Sequence, residues 1–353
     1  MDRFFLINYI IPFFLTCGLA FFITKVIKQI SLKFKIVDFP GQPRKIHRRP
    51  IPLLGGLAIF LSFLLTMLFY WWNGLLLDGR ITTSHLVGIF LSGLALMIVG
   101  FLDDKYNLKP GLAFVGPLLA AIIIILFGLK IGYITNPFGG LLYLGDTIWS
   151  PILVFLWLLG MMYTTKFLDG LDGLTGGVAV IGSIILFIVS LFWDIPQSGT
   201  SILCLILAGS SLGFLVWNFY PAKIFLGEAG STFLGFMLGV LAIISGAKIA
   251  TALLIMGIPI LDVLWVILRR VFKDKKSPFM ADKKHLHFRL LDVGFNQRQA
   301  VLFLYLITLL FGASAIFQQT VGKLITLGIL IIFMIGLGFW IVSRYNKKNK
   351  INP

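Results

Sequence analysis

Residues 86–110 read LVGIFLSGLALMIVGFLDDKYNLKP, an apolar run that ends in two adjacent aspartates followed by lysines. A helix of about 20 apolar residues is long enough to cross the roughly 30 Å hydrocarbon layer of a membrane. Runs of this kind recur along the whole chain. We predict eleven membrane-spanning helices, near residues 4–24, 51–72, 86–102, 111–128, 147–165, 174–193, 200–217, 231–247, 249–268, 299–317 and 322–343.

The composition excludes a soluble protein. Of the 353 residues, 58% are hydrophobic (AVILMFWYC) and 12% are charged, and the mean hydropathy is +0.98. Soluble domains are about one quarter charged. The sequence therefore predicts an all-α integral membrane protein, a polytopic helical bundle with one domain over residues 1–353. We interpret the first apolar run as a retained span rather than a cleaved signal peptide. The two cysteines lie inside apolar runs and predict no disulfide framework.

The basic residues assign the two membrane sides. With eleven spans, 25 of the 30 Lys and Arg residues fall on one side, and the other holds Arg3, Arg80, Lys130, Lys248 and Lys323. Because cytoplasmic loops are enriched in Lys and Arg, the richer side is predicted to be cytoplasmic. The N-terminus is then outside and the C-terminus is cytoplasmic, in the cytoplasmic (inner) membrane. The net charge of +16 fits anionic lipid headgroups better than nucleic acid.

The same alternation gathers the reactive side chains on the cytoplasmic side. The five cytoplasmic loops 25–50, 103–110, 166–173, 218–230 and 269–298 are predicted to form the active site. They carry Asp103, Asp104, Asp169, Asp172, Glu228, His47, His285 and His287. Such one-sided clustering indicates chemistry at the inner membrane surface.

The pair Asp103 and Asp104 ends the third predicted span. At about 5 Å and an effective dielectric constant near 20, each close carboxylate pair costs on the order of 3 kcal/mol in repulsion. A divalent cation relieves this repulsion, and so do the nearby Lys105 and Lys109. A solvated helix end with balanced charges is the alternative interpretation.

Two glycine-rich acidic motifs follow. In KFLDGLDGLTGG (166–177) the carboxylates are three residues apart, and the glycines favour a tight, open turn before a helix. In FLGEAGS (225–231) Glu228, the one glutamate of the chain, stands at another helix start. Helix N-termini attract phosphate. The alternative interpretation of both motifs is that their carboxylates only cap the start of a helix.

Histidine and basic residues fill the remaining loops. The histidines of KKHLHFRLL (283–291) are two residues apart, on one side of an extended segment but on nearly opposite sides of a helix. Cations beside them suit phosphate oxygens or anionic lipid. The positive charge of RKIHRRPIPLLGG (44–56) is also explained by membrane topology alone, because cytoplasmic loops are rich in Lys and Arg. Asp262 lies inside the ninth span, after a proline predicted to kink it. It is interpreted as the wall of a polar cleft or as a helix–helix hydrogen bond.

These motifs, in this order, resemble those of the polyprenyl-phosphate N-acetylhexosamine-1-phosphate transferases, the superfamily of bacterial MraY and WecA/TagO. The resemblance covers positions 44 to 291 and is closer to the WecA/TagO branch, in the H-x-H-x-R-L-L form and in the span count. It implies transfer of N-acetylhexosamine 1-phosphate, expected to be GlcNAc-1-phosphate, from a UDP-sugar to undecaprenyl phosphate with release of UMP. The product would be the first lipid-linked intermediate of a cell-envelope polysaccharide such as lipopolysaccharide or teichoic acid.

The resemblance also implies residue roles and a cofactor. Asp103, Asp104, Asp169 and Asp172 are the expected catalytic residues. Mg²⁺, with Mn²⁺ as a substitute, would be bound by Asp103, Asp104, Asp172 and Glu228. Substrate binding is expected from Lys45, His47, Lys105, Lys109, Lys166, His285, His287 and Arg289. Membrane lipid is a further expected partner, nucleic acid is not, and a homodimer is left open.

Three positions depart from the pattern of this family. Lys166 stands where relatives have Asn, Glu228 where they have Asp, and Phe288 where they have His. Lysine cannot bind a cation, but it can contact phosphate directly.

Three alternatives remain open. They are an MraY-like phospho-MurNAc-pentapeptide transferase, an inactive relative that holds the carrier lipid, and a secondary transporter of an anionic solute.

Overall fold

The computed structural model describes residues 6–41, 47, 49–136, 139–145, 147–193, 198–246, 248–275 and 284–351. Helices dominate the described chain, because its apolar runs satisfy their backbone hydrogen bonds internally. They are α1 (Leu6–Lys33), α2 (Gly55–Trp72), α3 (Thr83–Tyr106), α4 (Pro110–Leu126), α5 (Trp149–Leu168), α6 (Leu174–Trp193), α7 (Gly199–Asn218), α8 (Gly227–Ile244), α9 (Ile249–Ile255), α10 (Gly257–Leu268), α11 (Leu286–Asp292), α12 (Gln297–Ser314) and α13 (Thr320–Ile351).

Short strands form two small antiparallel pairs. Strand β1 (Val37–Asp38) pairs with β2 (Ile51–Pro52), with Val37 opposite Pro52. Strand β3 (Tyr133–Thr135) pairs with β4 (Leu141–Tyr143), with Tyr133 opposite Tyr143. The second pair lies in the predicted outer loop 129–150.

The prediction of an all-α polytopic membrane protein is confirmed, and each of the eleven predicted spans corresponds to a helix or a bent helix pair. Among the described residues, nine helices are long and apolar enough to cross a membrane, and the bent pair α9–α10 makes a tenth if it counts as one span. The predicted fourth span corresponds to α4, an apolar helix shorter than these, with a break at Phe114 after its first turn, Pro110–Ala113.

The bend in the ninth predicted span is also displaced from its expected position. Helices α9 and α10 meet at 75° around Met256, three residues before Pro259. Pro259 therefore lies in the first turn of α10, where a missing N–H leaves no intrahelical bond unmade.

Helix α8 is the centre of the bundle. Every residue from Ala229 to Ile244 is buried, and the helix packs against α2, α3, α5, α6, α7 and α9. Its first turn approaches two neighbours through glycine, since a Cβ on Gly56 would collide with the Gly230 backbone and one on Gly100 with Ala229. Small residues of this kind let helices pack closely in membranes.

The start of α8 is fastened to the start of α2 by backbone hydrogen bonds. Gly55 N donates to Phe225 O at 2.9 Å, Gly56 N donates to Leu226 O at 2.7 Å, and Phe225 N donates to Pro52 O at 2.8 Å. These bonds bring the loop before α8 to the end of the bundle where α3 and α5 finish. The opposite end is closed by Asp78, whose Oδ2 accepts from Gly199 N at 2.7 Å at the start of α7.

Candidate active site

The carboxylates of the α3 terminus differ in their surroundings. Asp103 Oδ1 accepts a hydrogen bond from Leu108 N at 2.9 Å, because the chain turns back after the left-handed Asn107. Asp104 Oδ1 accepts from Glu228 N at 3.0 Å and so caps α8. Asp104 Oδ2 is buried and has no hydrogen-bond partner among the described residues. The end of α3 is thus held against the start of α8.

Glycine is required beside this contact. Gly227 has a φ of +77°, a conformation that side chains disfavour. A Cβ at this position would also collide with the Asp104 carboxylate. The Gly-Glu sequence of the motif therefore places the Glu228 N–H directly at Asp104.

Lys166 and Glu228 form an ion pair. Lys166 Nζ lies 2.7 Å from Glu228 Oε2, and the two side chains are 23% and 37% exposed. Lys166 comes from the last turn of α5 and Glu228 from the first turn of α8. Two of the three departures from the family pattern therefore contact each other.

The DGLDG segment is a turn between α5 and α6, as its glycines indicate. Gly173 has a φ of +82° and its N–H donates to Asn218 Oδ1 at 3.0 Å. Asp172 Oδ2 accepts from Ala222 N at 2.9 Å. The turn is thereby joined to the segment that leads from α7 to α8.

The surroundings of both acids in this turn oppose their ionisation. Asp169 is exposed by its surface area, yet the surrounding protein desolvates its carboxyl group and raises the pKa to about 7. The charges of Glu228 and Asp172 act in the same direction. Burial also raises the pKa of Asp172, against the lowering effect of its hydrogen bonds and of the nearby His47. The five acids thus form one electrostatically coupled group.

Asp262 anchors the histidine segment, as a partly buried polar partner of the residues at the start of α11. Its Oδ2 lies 2.9 Å from His285 Nδ1, and its Oδ1 accepts from Leu286 N at 2.8 Å. Helix α10 follows the 75° bend, and its Asp262 contacts His285 and Leu286, 23 and 24 residues later in the chain.

The two histidine rings are buried and stacked. The ring of His285 stacks on Phe167 at 5.8 Å on one side and on His287 at 5.7 Å on the other, with planes 20° and 5° apart. Burial lowers the pKa of His287 to about 4, so the imidazole is neutral at physiological pH. Its Nε2, without a hydrogen-bond partner in the described chain, faces Gly170, where a Cβ would collide with it. The histidine segment therefore packs directly on the DGLDG turn.

The remaining predicted substrate-binding residues are less closely engaged. His47 Nε2 lies 3.5 Å from Asp38 Oδ2, beside the Phe225 ring. Lys105 Nζ lies over the Tyr106 ring at 5.0 Å, and Lys109 is exposed. Arg289 Nε donates to Lys284 O at 3.0 Å. Lys45 lies outside the described residues.

Sequence reasoning missed several supporting residues. Asn218 binds the turn backbone, Gln297 hydrogen-bonds to Asp172, and Phe167 stacks on His285. Asn218 had a detectable signal, a polar residue at the end of an apolar run. Nothing in the sequence distinguishes Phe167 from the other 33 phenylalanines.

A cavity with two chemical characters opens beside the acids. Asp103, Lys166 and Glu228 line its polar end, and Leu96, Val99 and Pro117 form part of an apolar wall. These residues come from α3, α4, α5 and α8. The cavity therefore combines ionic groups with a surface that suits hydrocarbon.

The donor set fits a hard divalent cation bound together with substrate. No three Asp, Glu, His or Cys side chains in the described ranges are placed to hold a metal between them. Mg²⁺, however, is commonly bound by one or two carboxylates, waters and substrate phosphates. The buried, unpartnered Oδ2 of Asp104, beside Asp103 and Glu228, has the chemistry of such a ligand.

Comparison with known proteins identifies relatives over nearly the whole chain. Residues 86–246 match the family model described as glycosyl transferase family 4. A probable undecaprenyl-phosphate N-acetylglucosaminyl 1-phosphate transferase of Bacillus subtilis (strain 168) is 35% identical, over 93% of this chain and 91% of the relative. A decaprenyl-phosphate N-acetylglucosaminephosphotransferase of Mycolicibacterium smegmatis is 30% identical, over 90% and 84%. An undecaprenyl-phosphate alpha-N-acetylglucosaminyl 1-phosphate transferase of Escherichia coli (strain K12) is 28% identical, over 96% and 92%.

Proposed function

Since the chain belongs to the polyprenyl-phosphate N-acetylhexosamine-1-phosphate transferases, we propose that it transfers GlcNAc-1-phosphate from UDP-GlcNAc to undecaprenyl phosphate. The net reaction joins the carrier phosphate to the sugar phosphate through a new P–O–P linkage and releases UMP. The acceptor and the transferred GlcNAc-phosphate group follow the names of its relatives, which are undecaprenyl- and decaprenyl-phosphate enzymes; the UDP-linked donor follows from the motif resemblance.

One observation carries the proposal. Carboxylates from the end of α3, the α5–α6 turn and the start of α8 converge in one coupled group, beside a cavity that is ionic at one end and apolar along its wall. A lipid phosphate needs both surfaces, because its charge and its isoprenoid chain require different surroundings. The excess of Lys and Arg supports a cytoplasmic orientation of this end.

Asp103, Asp104 and Glu228 would hold Mg²⁺, with Asp172 further along the group. The metal would neutralise charge on the phosphoryl oxygens. The protein's own groups contribute the rest. Asp104 is oriented by the Glu228 N–H, and Lys166 supplies a positive charge at the polar end of the cavity. His287 offers a neutral imidazole, since burial lowers its pKa to about 4.

The test is a reconstituted reaction. We expect the purified full-length chain to release UMP from UDP-GlcNAc when undecaprenyl phosphate and Mg²⁺ or Mn²⁺ are both present. UDP-GalNAc and UDP-MurNAc-pentapeptide, offered in parallel, distinguish the sugar and an MraY-like specificity. Omitting the carrier or adding EDTA should abolish release. Loss of one carboxylate in Asp103→Asn should lower the rate at least about a hundredfold.

Two results would contradict the proposal. One is metal-independent UMP release or full activity in Asp103→Asn. The other is solute flux into proteoliposomes with no covalent product, which would favour the transporter.

A further inference from the structure

The ion pair between Lys166 and Glu228 lies at the polar end of the cavity. Lys166 Nζ and Glu228 Oε2 are 2.7 Å apart, and both side chains are accessible, at 23% and 37% exposed. Asp103 lines the same end of the cavity. The two side chains are therefore partly accessible from this space, whereas Glu228 Oε2, the atom in contact with the ammonium group, is itself buried.

Glu228 lies beside other carboxylates. Its N–H donates to Asp104 Oδ1 at 3.0 Å, and its negative charge raises the pKa of Asp169. Lys166 contacts Glu228 directly and also lies near the negative charge of Asp103. The ammonium group thus balances part of the acidic group from within the protein.

A phosphate in the cavity would compete with Glu228 for this ammonium group. Lys binds phosphate oxygens through charge-assisted hydrogen bonds, and its four-carbon stem allows the group to move. A divalent cation on Glu228 would repel Lys166 at contact distance. Either event favours transfer of the ammonium group from the carboxylate to the phosphate.

We propose that Lys166 is a partner-exchanging cation, which leaves Glu228 for a phosphoryl oxygen when a phosphate binds. The proposal rests on the proposed function and assigns the phosphate to the carrier lipid, because Leu96, Val99 and Pro117 form an apolar wall beside the pair. Glu228 therefore competes with the phosphate for the Lys166 ammonium group, and it is also one of the carboxylates of the site. Binding of carrier phosphate and release of Glu228 are then coupled.

The experiment is a double-mutant cycle in EDTA, so that metal binding and catalysis do not enter. Native mass spectrometry of the detergent-solubilised full-length chain gives the affinity for undecaprenyl phosphate, with undecaprenol as the uncharged control. We expect Lys166→Met to weaken binding and Glu228→Gln to tighten it, each by roughly fivefold or more. In the double variant Glu228→Gln should have no effect, because the ammonium group that it frees is absent.

Three further variants and ligands make the result decisive. Lys166→Arg should retain binding, which separates loss of charge from loss of folding, and thermal melting checks each variant. Lys28→Met is the matched control, since this ammonium group lies over the Trp217 ring, 5.4 Å from its centroid. When UMP replaces undecaprenyl phosphate as the ligand, its affinity should change less in the Lys166 and Glu228 variants.

Several outcomes would overturn the inference. Equal effects of Glu228→Gln with and without Lys166 would show independent electrostatics, not exchange. If the effects of the two substitutions are non-additive for UMP but additive for undecaprenyl phosphate, the assignment of the phosphate to the carrier lipid is refuted. If the wild-type chain binds no undecaprenyl phosphate at all, the proposed function itself fails, whereas binding with an additive cycle refutes the exchange alone.

Discussion

His287 is a buried imidazole whose environment opposes its protonation. His287 is 2% exposed, and its ring stacks on the ring of His285. Desolvation is the main cause of its lowered pKa, and the neighbouring His285 adds to it, while Asp262 acts in the opposite direction. A neutral ring can hydrogen-bond to substrate without adding charge to the site.

We expect His287 to stay neutral well below pH 6. The chain has four histidines, so a long-range ¹⁵N–¹H spectrum of histidine-labelled protein should show one imidazole that titrates near pH 4, absent in His287→Asn. Because the folded-state pKa is below the unfolded value of about 6.5, its contribution to stability is complete above pH 6.5. That contribution is lost as the pH falls towards 4. Titration of all four rings between pH 6 and 7 would contradict this prediction.

Gly170 packs directly against the imidazole ring of His287. A Cβ there would collide with His287 Nε2, so Gly170→Ala should displace the histidine segment. We expect a loss of about 1–3 kcal/mol in stability and a larger loss of UMP release, measured by thermal melting and by the reconstituted assay. Gly160→Ala is the matched control, because the new methyl group, on the preceding helix α5, meets nothing within 4 Å. Equal behaviour of the two variants would exclude the proposed contact.

At the scale of elements, the site is formed where the ends of three helices meet. The end of α3, the end of α5 and the start of α8 meet because glycines allow α2, α3 and α8 to approach at Gly56, Gly100 and Gly230. Helix α10 adds a different kind of support. Its Asp262 contacts His285 and Leu286 at the start of α11.

Asp262 should act as a positioning residue for His285. Its carboxylate accepts from the Leu286 N–H and faces His285 Nδ1 at 2.9 Å, which favours the tautomer with the proton on Nδ1. Asp262→Asn keeps an acceptor for Leu286 but weakens the contact with His285. We expect UMP release to fall by roughly tenfold or more, with altered imidazole ¹⁵N shifts for His285. A lower rate with unchanged shifts would indicate a purely structural role.

At the scale of the molecule, the bundle separates two chemically distinct ends. The acidic group and the histidine segment lie together at one end. The contact between Asp78 and the start of α7, and the hydrogen bond from Lys323 Nζ to Thr251 Oγ1, lie away from it. This polarity is what a membrane enzyme with substrates on one side requires.

The orientation of these ends can be measured by cysteine labelling. In a background without Cys17 and Cys204, Tyr143→Cys in strand β4 should react with a membrane-impermeant maleimide in intact cells. Lys347→Cys near the end of α13 should react only after the membrane is permeabilised. Both original positions are exposed, so accessibility should depend on the side alone. The reverse pattern would place the acidic end outside.

The sequence alone was sufficient for the fold class, and it singled out acids and histidines that the structure brings close together. Apolar runs of membrane length determine helices, because backbone groups in lipid must be satisfied within the segment. Ordered motifs also identified the acids and histidines, since these are few in so apolar a chain. Span number was less determined, because composition does not reveal the break at Phe114 or the bend around Met256.

Tertiary structure decided which of these residues contact one another. The pairing of Lys166 with Glu228 joins helices α5 and α8, and that of Asp262 with His285 joins α10 to the start of α11. No local pattern encodes such contacts, because they arise from the relative positions of helices that pack through small residues. The stacking of Phe167 on His285 has the same origin. Hydropathy determines that each segment enters the membrane, and close packing between segments determines which side chains meet.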